Sequence, residues 1–168
     1  VYYVGSGQIN AQVPYELTPG APNNQVVVSA AGALASEKID AEPGAPGIAT
    51  LPNNGIIAQH LDGSLVTETA PVMPGEIIGF YLTGLGNTAN QPADGNGAPL
   101  PPTGPLNPVS VTLNGTVVPT LFVGLTPGAV GLYQINLTIP PGTPDGDQIV
   151  TVAQSGAVSN VVILPVHR

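Results

Sequence analysis

Few residues in this chain have side chains suited to catalysis or metal binding, and they are widely spaced. The sequence has two histidines, His60 and His167, and no cysteine. A zinc site would need a third ligand from elsewhere, because no zinc-type ligand spacing is present, so both histidines are expected at the surface. A Gly-x-Ser-x-Gly nucleophile elbow is also missing. We therefore expect a protein that is not an enzyme and binds no cofactor.

Two short acidic stretches resemble the start of a calcium loop. They are Asp94-Gly95-Asn96-Gly97 and Asp145-Gly146-Asp147. Calcium takes about six to eight oxygen ligands, commonly with a bidentate glutamate further along the chain, and neither stretch supplies one. Their Gly, Asn and Asp residues favour turns, so no metal site is expected.

Three positions have side chains that are candidates for covalent modification. Lys38 and Arg168 are the only basic residues, so a Lys-Asn isopeptide crosslink would have to use Lys38; an exposed lysine is the simpler interpretation. Asn114-Gly115-Thr116 and Asn136-Leu137-Thr138 are formal glycosylation sequons. The first is a turn signal and the second lies inside a predicted strand, so both matches are interpreted as incidental.

Tyrosine is the main aromatic residue type, and tryptophan is absent. A platform of tyrosines would stack on carbohydrate, but the tyrosines are dispersed along the chain, which favours packing in the core and at interfaces. The five tyrosines are Tyr2, Tyr3, Tyr15, Tyr81 and Tyr133.

The composition predicts an all-β protein. Glycine (22) and proline (20) make up a quarter of the 168 residues, 42% are hydrophobic and 7% are charged. The apolar residues are mostly β-branched and regularly spaced, unlike those of disordered chains. The net charge of −8 leaves no basic surface for nucleic acid or an anionic membrane, and no apolar run approaches the ~20 residues of a membrane span. This Lys-poor composition suits an extracellular or cell-surface protein.

One sequence segment occurs twice. GQINAQVP at 7–14 returns as YQINLTIP at 133–140, at an offset of 126 residues. A Pro/Gly turn, a Val/Ile strand and a Gly-Ala hairpin follow in both places, and Gly32 maps to Gly156 at an offset of 124. The repeat therefore predicts two related β-units.

The flanks of the two copies differ. Residues 76–120, rich in strand signals, precede the second copy, whereas only residues 1–6 precede the first. The first unit is therefore expected to lack its front half. The predicted organisation is a partial β-unit at 1–47, a linker with a β-hairpin at 48–74 and a complete β-sandwich at 75–168.

Two connecting segments are distinctive. Asp62-Gly63, at the centre of residues 56–66, predicts a hairpin with a type I′ turn whose strands join either sheet. The Pro-rich loop at 84–108 is long enough to predict an ordered surface flap. In the second unit the predicted strands are 77–83, 109–113, 117–123, 132–139, 149–153 and 157–166.

The segment MPGEIIGFYLTGLG at 73–86 resembles the opening strands of an IPT/TIG-type immunoglobulin-like domain. With VSVTLNGTVVPTLFVG, GLYQINLTIP and VYYVGSGQINAQVP, the whole chain is similar to the uncharacterised domain family at the C-termini of many large secreted acidobacterial proteins. The resemblance implies an exported location and no activity, since that family has no catalytic residues to carry over. The expected fold is all-β, with two immunoglobulin-like β-sandwich units, the first incomplete and completed by the linker hairpin or a neighbouring chain.

Unpaired strand edges on an incomplete unit would template pairing with other chains. We therefore expect a non-enzymatic structural subunit of an extracellular filament or surface assembly, a homopolymer formed head to tail through β-strand complementation. The alternative is a C-terminal adhesion or cell-surface attachment module of a larger secreted protein, contacting carbohydrate or a cell surface through residues 84–108. The residues expected to form the assembly contact are Val1, Tyr2, Tyr3, Val4, Val161, Val162, Ile163 and Leu164.

Overall fold

The computed structural model describes Val1 and residues 3–168, and all regular structure in this part of the chain is β-strand. None of these residues belongs to a helix that is long and apolar enough to cross a membrane. The strands are β1 (Tyr3–Val4), β2 (Ile9–Asn10), β3 (Gln25–Ala30), β4 (Ala33–Lys38), β5 (Gly47–Ile48), β6 (Ala58–His60), β7 (Ile77–Thr83), β8 (Val109–Leu113), β9 (Thr116–Val118), β10 (Thr120–Leu125), β11 (Tyr133–Thr138), β12 (Gly146–Gln154), β13 (Ala157–Val158) and β14 (Val162–Val166).

Two five-stranded antiparallel sheets form a β-sandwich. Sheet I has the order β10-β11-β7-β5, with β6 also paired to β7, and sheet II has the order β13-β12-β8-β9, with β14 also paired to β12. Alternation along each strand explains the packing: in β7, Ile78, Phe80 and Leu82 are buried, whereas the residues between them are more exposed. The predicted all-β sandwich class is confirmed.

The core of the sandwich is a single apolar cluster filled from both sheets. Phe80 and Ile135 of sheet I and Val111 and Val152 of sheet II are almost completely inaccessible to solvent. Burying a side chain of this size contributes about 1.5–3 kcal/mol relative to leaving it exposed. The alternating apolar residues of these strands are therefore the main source of the fold's stability.

Residues 48–74, predicted as a linker with a hairpin, add strands to this sandwich. β5 and β6 both pair with β7, and Ile56 and Val72 belong to the core. Ile56 N–H donates to the carbonyl of Ile163 (2.9 Å), and Val72 N–H donates to the carbonyl of Pro165 (3.0 Å). This segment therefore extends sheet I. It also bonds to the edge of β14 that does not pair with β12.

Two local features differ from the sequence predictions. Only Gly63 of the Asp62-Gly63 pair has a positive φ (+85°), so this turn is not type I′, which requires positive φ at both central residues. Residues 117–123 form parts of two strands, β9 and β10, in different sheets. Pro119 lies between them and cannot donate a ladder hydrogen bond, so the chain changes sheet there.

The first copy of the repeat forms two separate hairpins, β1–β2 and β3–β4. Among the described residues, neither hairpin shares a strand pairing with the sandwich. Nearly every side chain of β3 and β4 is exposed. The first copy therefore has the strands of a sheet without the core of a domain.

The first copy joins the sandwich through a close backbone contact. Ala45 N–H donates to the carbonyl of Gly84 (2.8 Å). A Cβ added at Gly84 would overlap the carbonyl oxygen of Ala45, and one at Gly86 would overlap that of Pro43. Both glycines also have a positive φ, +81° and +70°. The Gly-Leu-Gly segment at 84–86 therefore requires glycine at both ends, because residues 43–45 pack directly against its backbone. This contact is named the glycine junction.

Candidate functional site

The two copies of the repeat have the same strand register. In the second copy, Val123 of β10 lies opposite Ile135 of β11. In the first copy, Val4 of β1 lies opposite Ile9 of β2. In each copy a valine of the preceding strand therefore lies opposite the isoleucine of the Gln-Ile-Asn segment. At the offset of 124, the pair Ser29–Leu34 of β3 and β4 also corresponds to the pair Ala153–Val158 of β12 and β13.

The hairpin that follows also has the same turn in both copies. Ala31 and Gly32 have φ values of +50° and +82°, and Ser155 and Gly156 have +52° and +87°. Positive φ at both central residues is the type I′ geometry that suits the twist of paired strands. The local conformation of the repeat therefore does not depend on its surroundings.

The burial of equivalent residues differs sharply. Ile9, Val13 and Val26 of the first copy are 46%, 56% and 46% exposed, and Val28 is half-buried. These four residues, which belong to two separate hairpin regions of the first copy, are together named the open face. Their equivalents in the second copy are all core residues at most 3% exposed: Ile135, Ile139, Val150 and Val152.

The open face is uncovered because its strands have fewer neighbours. In the second copy, β11 also pairs with β7, and β12 also pairs with β8. In the described part of the chain, β2 pairs with β1 alone and β3 with β4 alone. The open face thus combines exposed apolar side chains with strand edges that can accept another strand, the two features that β-strand addition uses.

The contact residues predicted at the start of the chain are exposed where the structure describes them. Val1, Tyr3 and Val4 all have exposed side chains. Tyr2, also predicted to take part, lies outside the described residues. β1, which contains Tyr3 and Val4, is paired with β2 and so belongs to the same small sheet as Ile9.

The contact residues predicted near the end of the chain are placed differently. Val162 and Leu164 are core residues, and Val161 is exposed. Ile163 N–H donates to the carbonyl of Asn54 (2.9 Å), and β14 pairs with β12 on its other side. Because both edges of this strand are occupied, residues 161–164 offer no edge for strand addition.

The second copy differs from the first by a bulge after the turn. Ser159 Oγ accepts from Val152 N–H (3.0 Å), and the bulge directs Asn160 toward sheet I. Ile48 N–H donates to Asn160 Oδ1 (2.8 Å), and Asn160 Nδ2 donates to the carbonyl of Ile48 (3.1 Å). Asn160 therefore links the two sheets by imitating a strand neighbour, a role the sequence analysis did not identify.

His60 and Glu76 form a partly buried ion pair. His60 Nδ1 lies 2.5 Å from Glu76 Oε1, and its Nε2 lies 3.2 Å from the carbonyl of Ala70. Glu76 Oε2 accepts from Met73 N–H (2.8 Å). The hydrogen bond to Glu76 raises the pKa of His60 against the opposing effect of burial. His60 is therefore a paired residue that fastens β6 to the start of β7.

The two acidic stretches take part in other contacts. Asp145 lies 3.7 Å from His167 and 3.8 Å from Arg168. Asp94 Oδ1 accepts from Tyr15 N–H (3.2 Å). No group of three or more His, Cys, Asp or Glu side chains among the described residues could hold a metal ion.

The 84–108 loop contacts the first copy. Gly95 N–H donates to Gln12 Oε1 (2.8 Å). The Tyr133 hydroxyl donates to the carbonyl of Gly86, and burial, with the nearby Tyr15, raises the pKa of Tyr133. This loop therefore supports the segment after β2 and positions the first copy on the sandwich.

The candidate modification residues are placed as follows. Lys38 is exposed at the end of β4. Asn114 Oδ1 accepts from Ile149 N–H (2.8 Å), and Asn136 lies within β11. Both asparagine side chains are therefore engaged in hydrogen bonds within the sandwich.

No protein-family model, curated protein or solved structure matches the chain. The functional conclusion therefore depends on the geometry of the chain itself.

Proposed function

We propose that this protein is a non-enzymatic structural subunit of an extracellular filament or surface assembly, in which a neighbouring chain completes the first copy. The open face carries the proposal, because Ile9, Val13 and Val26 are exposed where their equivalents are core residues. Because these side chains are already about half buried, covering the rest of one contributes about half of the 1.5–3 kcal/mol of a full burial, about 1 kcal/mol. Covering the whole open face would therefore favour association by several kcal/mol, before the cost of ordering the partners.

The difference between the two copies supports a head-to-tail arrangement. The open face belongs to the first copy, whereas β9 is an edge strand of sheet II with Val117 exposed. A contact between β9 of one chain and β3 of the next joins two unlike surfaces. Such a heterologous contact extends into an open filament unless its rotation closes a ring.

The sequence resemblance supports the location and topology of the proposed subunit. Residues 73–86 and the two Gln-Ile-Asn segments are similar to a C-terminal domain family of secreted proteins. On this basis we propose that each completed unit is immunoglobulin-like and that the protein is exported. A chain with two basic residues and a net charge of −8 also leaves no basic surface for nucleic acid.

A matched pair of charge substitutions in one hairpin tests the proposal. Val26→Asp places a carboxylate on the open face. Leu34→Asp is the control, because Leu34 and its equivalent Val158 are both exposed. We expect the wild-type protein and Leu34→Asp to form filaments in negative-stain electron microscopy and Val26→Asp to remain monomeric by sedimentation velocity. A monomeric wild-type protein at high concentration, or assembly of Val26→Asp equal to that of Leu34→Asp, would contradict the proposal.

A fusion protein tests whether added strands from the same chain can cover the open face in place of a neighbouring chain. Placing a second copy of residues 76–119 directly before Val1 gives the first copy the strands that precede the second. We expect this fusion to stay monomeric, because a tethered strand outcompetes a neighbouring chain, and to slow amide hydrogen exchange at Ile9 and Val26. Unchanged assembly of the fusion would argue against strand complementation. Closed dimers of the wild-type protein would overturn the head-to-tail order.

A further inference from the structure

The outer face of sheet I contains a groove of about 210 Å³ that is lined by both polar and apolar side chains. β6, β7, β11 and the turn after β6 line it. Its polar groups come from Gln59, Tyr81, Gln134 and Asn136. The groove lies on the sandwich, which is separate in the fold from the open face of the first copy.

Gly79 forms the floor of this groove. It lies opposite Gln59 on one side and Asn136 on the other. A Cβ at this position would lie 2.9 Å from Asn136 Oδ1 and 3.4 Å from Gln134 Nε2. Glycine weakens the interior of a strand and commonly marks a site where a ligand or another backbone approaches closely. The missing side chain therefore leaves room for both the amides and a ligand.

Hydrogen bonds within the groove orient its amide side chains. The Tyr81 hydroxyl donates to Gln59 Oε1 (2.6 Å), and Gln59 Nε2 donates to the carbonyl of Gly63 (3.1 Å). Gln134 Nε2 donates to Asn136 Oδ1 (2.7 Å). Gln134 Oε1 and Asn136 Nδ2 have no protein partner among the described residues. The groove therefore presents an acceptor and a donor close together in fixed orientations.

The same amide pair recurs in the first copy. Gln8 Nε2 donates to Asn10 Oδ1 (2.5 Å), whereas the next outward position changes from Gln12 to Thr138. Only the pair in the second copy lies in the groove beside Gly79, so the pair in the first copy is a matched control for binding.

The chemistry of the groove fits an uncharged ligand that carries many hydroxyl groups. A sugar hydroxyl both donates and accepts hydrogen bonds, as the oriented amides require, and the Tyr81 ring adds an apolar surface with a polar tip. His60 also lines the groove, and its Nδ1 lies 2.5 Å from Glu76 Oε1, so the charges of this pair offset each other. The net charge of −8 disfavours anionic ligands.

We propose that this groove binds a neutral polysaccharide, with one sugar ring seated over Gly79 and bonded to Gln134 and Asn136. This binding is independent of assembly through the open face. It would attach the protein to a glycan surface whether the chain is polymeric or monomeric.

Affinity electrophoresis tests the proposal. The Val26→Asp protein is run in native gels that contain dextran, hydroxyethylcellulose or galactomannan, with alginate as the anionic comparison. We expect at least one neutral polysaccharide to retard the protein and alginate not to do so. Using the Val26→Asp background keeps the result separate from the outcome of the assembly experiments.

Three variants assign the binding to the groove. Gly79→Ala fills its floor, and Gln134→Ala with Asn136→Ala removes its oriented amides. Gln8→Ala with Asn10→Ala removes the same amide pair from the first copy and is the matched control. Because two hydrogen bonds to the ligand are lost, we expect the Gln134/Asn136 variant to bind about tenfold more weakly, Gly79→Ala to bind at least as weakly, and the control to bind like the parent protein.

Thermal unfolding checks that the groove variants still fold. The added Cβ of Gly79→Ala meets the ends of flexible amide side chains, and the position lies in an ordinary strand conformation. We therefore expect its melting temperature to equal or exceed that of the parent. Failure of all three neutral polysaccharides to bind, full binding by Gly79→Ala, or binding that alginate reproduces and salt abolishes would overturn the proposal.

Discussion

The same β-unit occurs twice in this chain, once with its apolar face buried in a core and once with that face exposed. Ile135 of the second copy lies on β11, between β10 and β7, and is completely buried. Ile9 of the first copy has the equivalent neighbour β1 on one side, no paired strand on the other, and nearly half of its surface exposed. Because the β3–β4 and β12–β13 hairpins agree in register and turn geometry, the comparison separates local causes of structure from non-local ones. Hairpin conformation is set locally, whereas burial depends on strands that lie far away in sequence.

The comparison also predicts two levels of stability within one chain. The sandwich shares one apolar core, so its strands should unfold together. The hairpins of the first copy have exposed side chains and few neighbours, which are features of segments that open at low free energy. Each prediction below changes one residue of the sandwich, and the first three compare it with its equivalent in the first copy.

The largest contrast is expected for the isoleucines of the repeated Gln-Ile-Asn segment. Ile135→Ala creates a cavity in the core and should lower the free energy of unfolding by about 2–5 kcal/mol. Ile9→Ala, on the exposed strand, should change it by less than about 0.5 kcal/mol. Urea denaturation followed by circular dichroism, on dilute protein, measures both. Equal losses would show that the first copy has a core of its own.

A smaller contrast is expected for the inter-sheet link of the second copy. Asn160→Ala leaves the buried backbone of Ile48 without two hydrogen bonds and should cost about 1–2 kcal/mol. The equivalent residue Ser36 is exposed, and Ser36→Ala should stay within about 0.5 kcal/mol of the parent. The same denaturation experiment compares the two. An unchanged Asn160→Ala protein would mean that water replaces the link at no cost.

The two type I′ turns should differ in effect although their geometry is the same. Gly156→Ala introduces a Cβ at a φ of +87° and should destabilise the sandwich by about 1 kcal/mol. Gly32→Ala imposes the same strain at +82°, but should leave sandwich unfolding unchanged, since its hairpin does not share the core. Differential scanning calorimetry distinguishes these results. A similar decrease in both variants would mean that the two copies unfold as one unit.

The smallest effect is expected from pH, and only in the sandwich, since residues 1–47 contain no histidine. The pKa of His60 is raised in the folded protein by its bond to Glu76. The resulting stability is therefore fully present below the unfolded pKa and is lost as pH rises through the folded value. Partly exposed ion pairs contribute about 0.5 kcal/mol. The free energy of unfolding of the wild-type protein should therefore fall by about 0.5 kcal/mol as pH rises through neutrality, and that of His60→Gln should not. An unchanged stability profile in His60→Gln would assign the pH dependence to another group.

Much of the fold followed from local sequence patterns. The strands predicted at 77–83 and 109–113 coincide with β7 and β8, and the Asn114-Gly115 turn between β8 and β9 has positive φ at both residues. Alternation of apolar residues and turn chemistry are encoded within a few neighbouring residues. Such features can be predicted without knowing what lies across the sheet.

Features that depend on distant partners could not be predicted in this way. Asn160 bonds to Ile48, which lies 112 residues away, and nothing near Asn160 in the sequence indicates that partner. Residues 48–74 have a hairpin signal, but only the three-dimensional pairing with β7 shows which sheet they join. Pro119, in contrast, does indicate in the sequence that the strand predicted at 117–123 is interrupted, because proline rarely occupies the middle of a strand.

The candidate sites were partly accessible from the sequence. The offset that equates Gly32 with Gly156 also equates Val26 with Val150, so applying it along the whole hairpin would have located the open face. The groove was harder to find. Tyr81 is isolated from other tyrosines in sequence, and its partners Gln59 and Gln134 come from two other strands. Gly79, inside β7, was the one local signal in the sequence that a ligand or another backbone approaches this strand closely.

The glycine junction between the copies has a mechanical consequence. Because Gly84 and Gly86 admit the backbone of residues 43–45 so closely, the first copy is docked on the sandwich and does not hang from a flexible tether. In the proposed filament every subunit would then repeat one fixed angle, and bending would have to strain this junction. We therefore expect a stiff fibre with a long persistence length, in which a larger residue at Gly84 alters the helical pitch or the straightness of the fibre before it weakens the bonds between subunits.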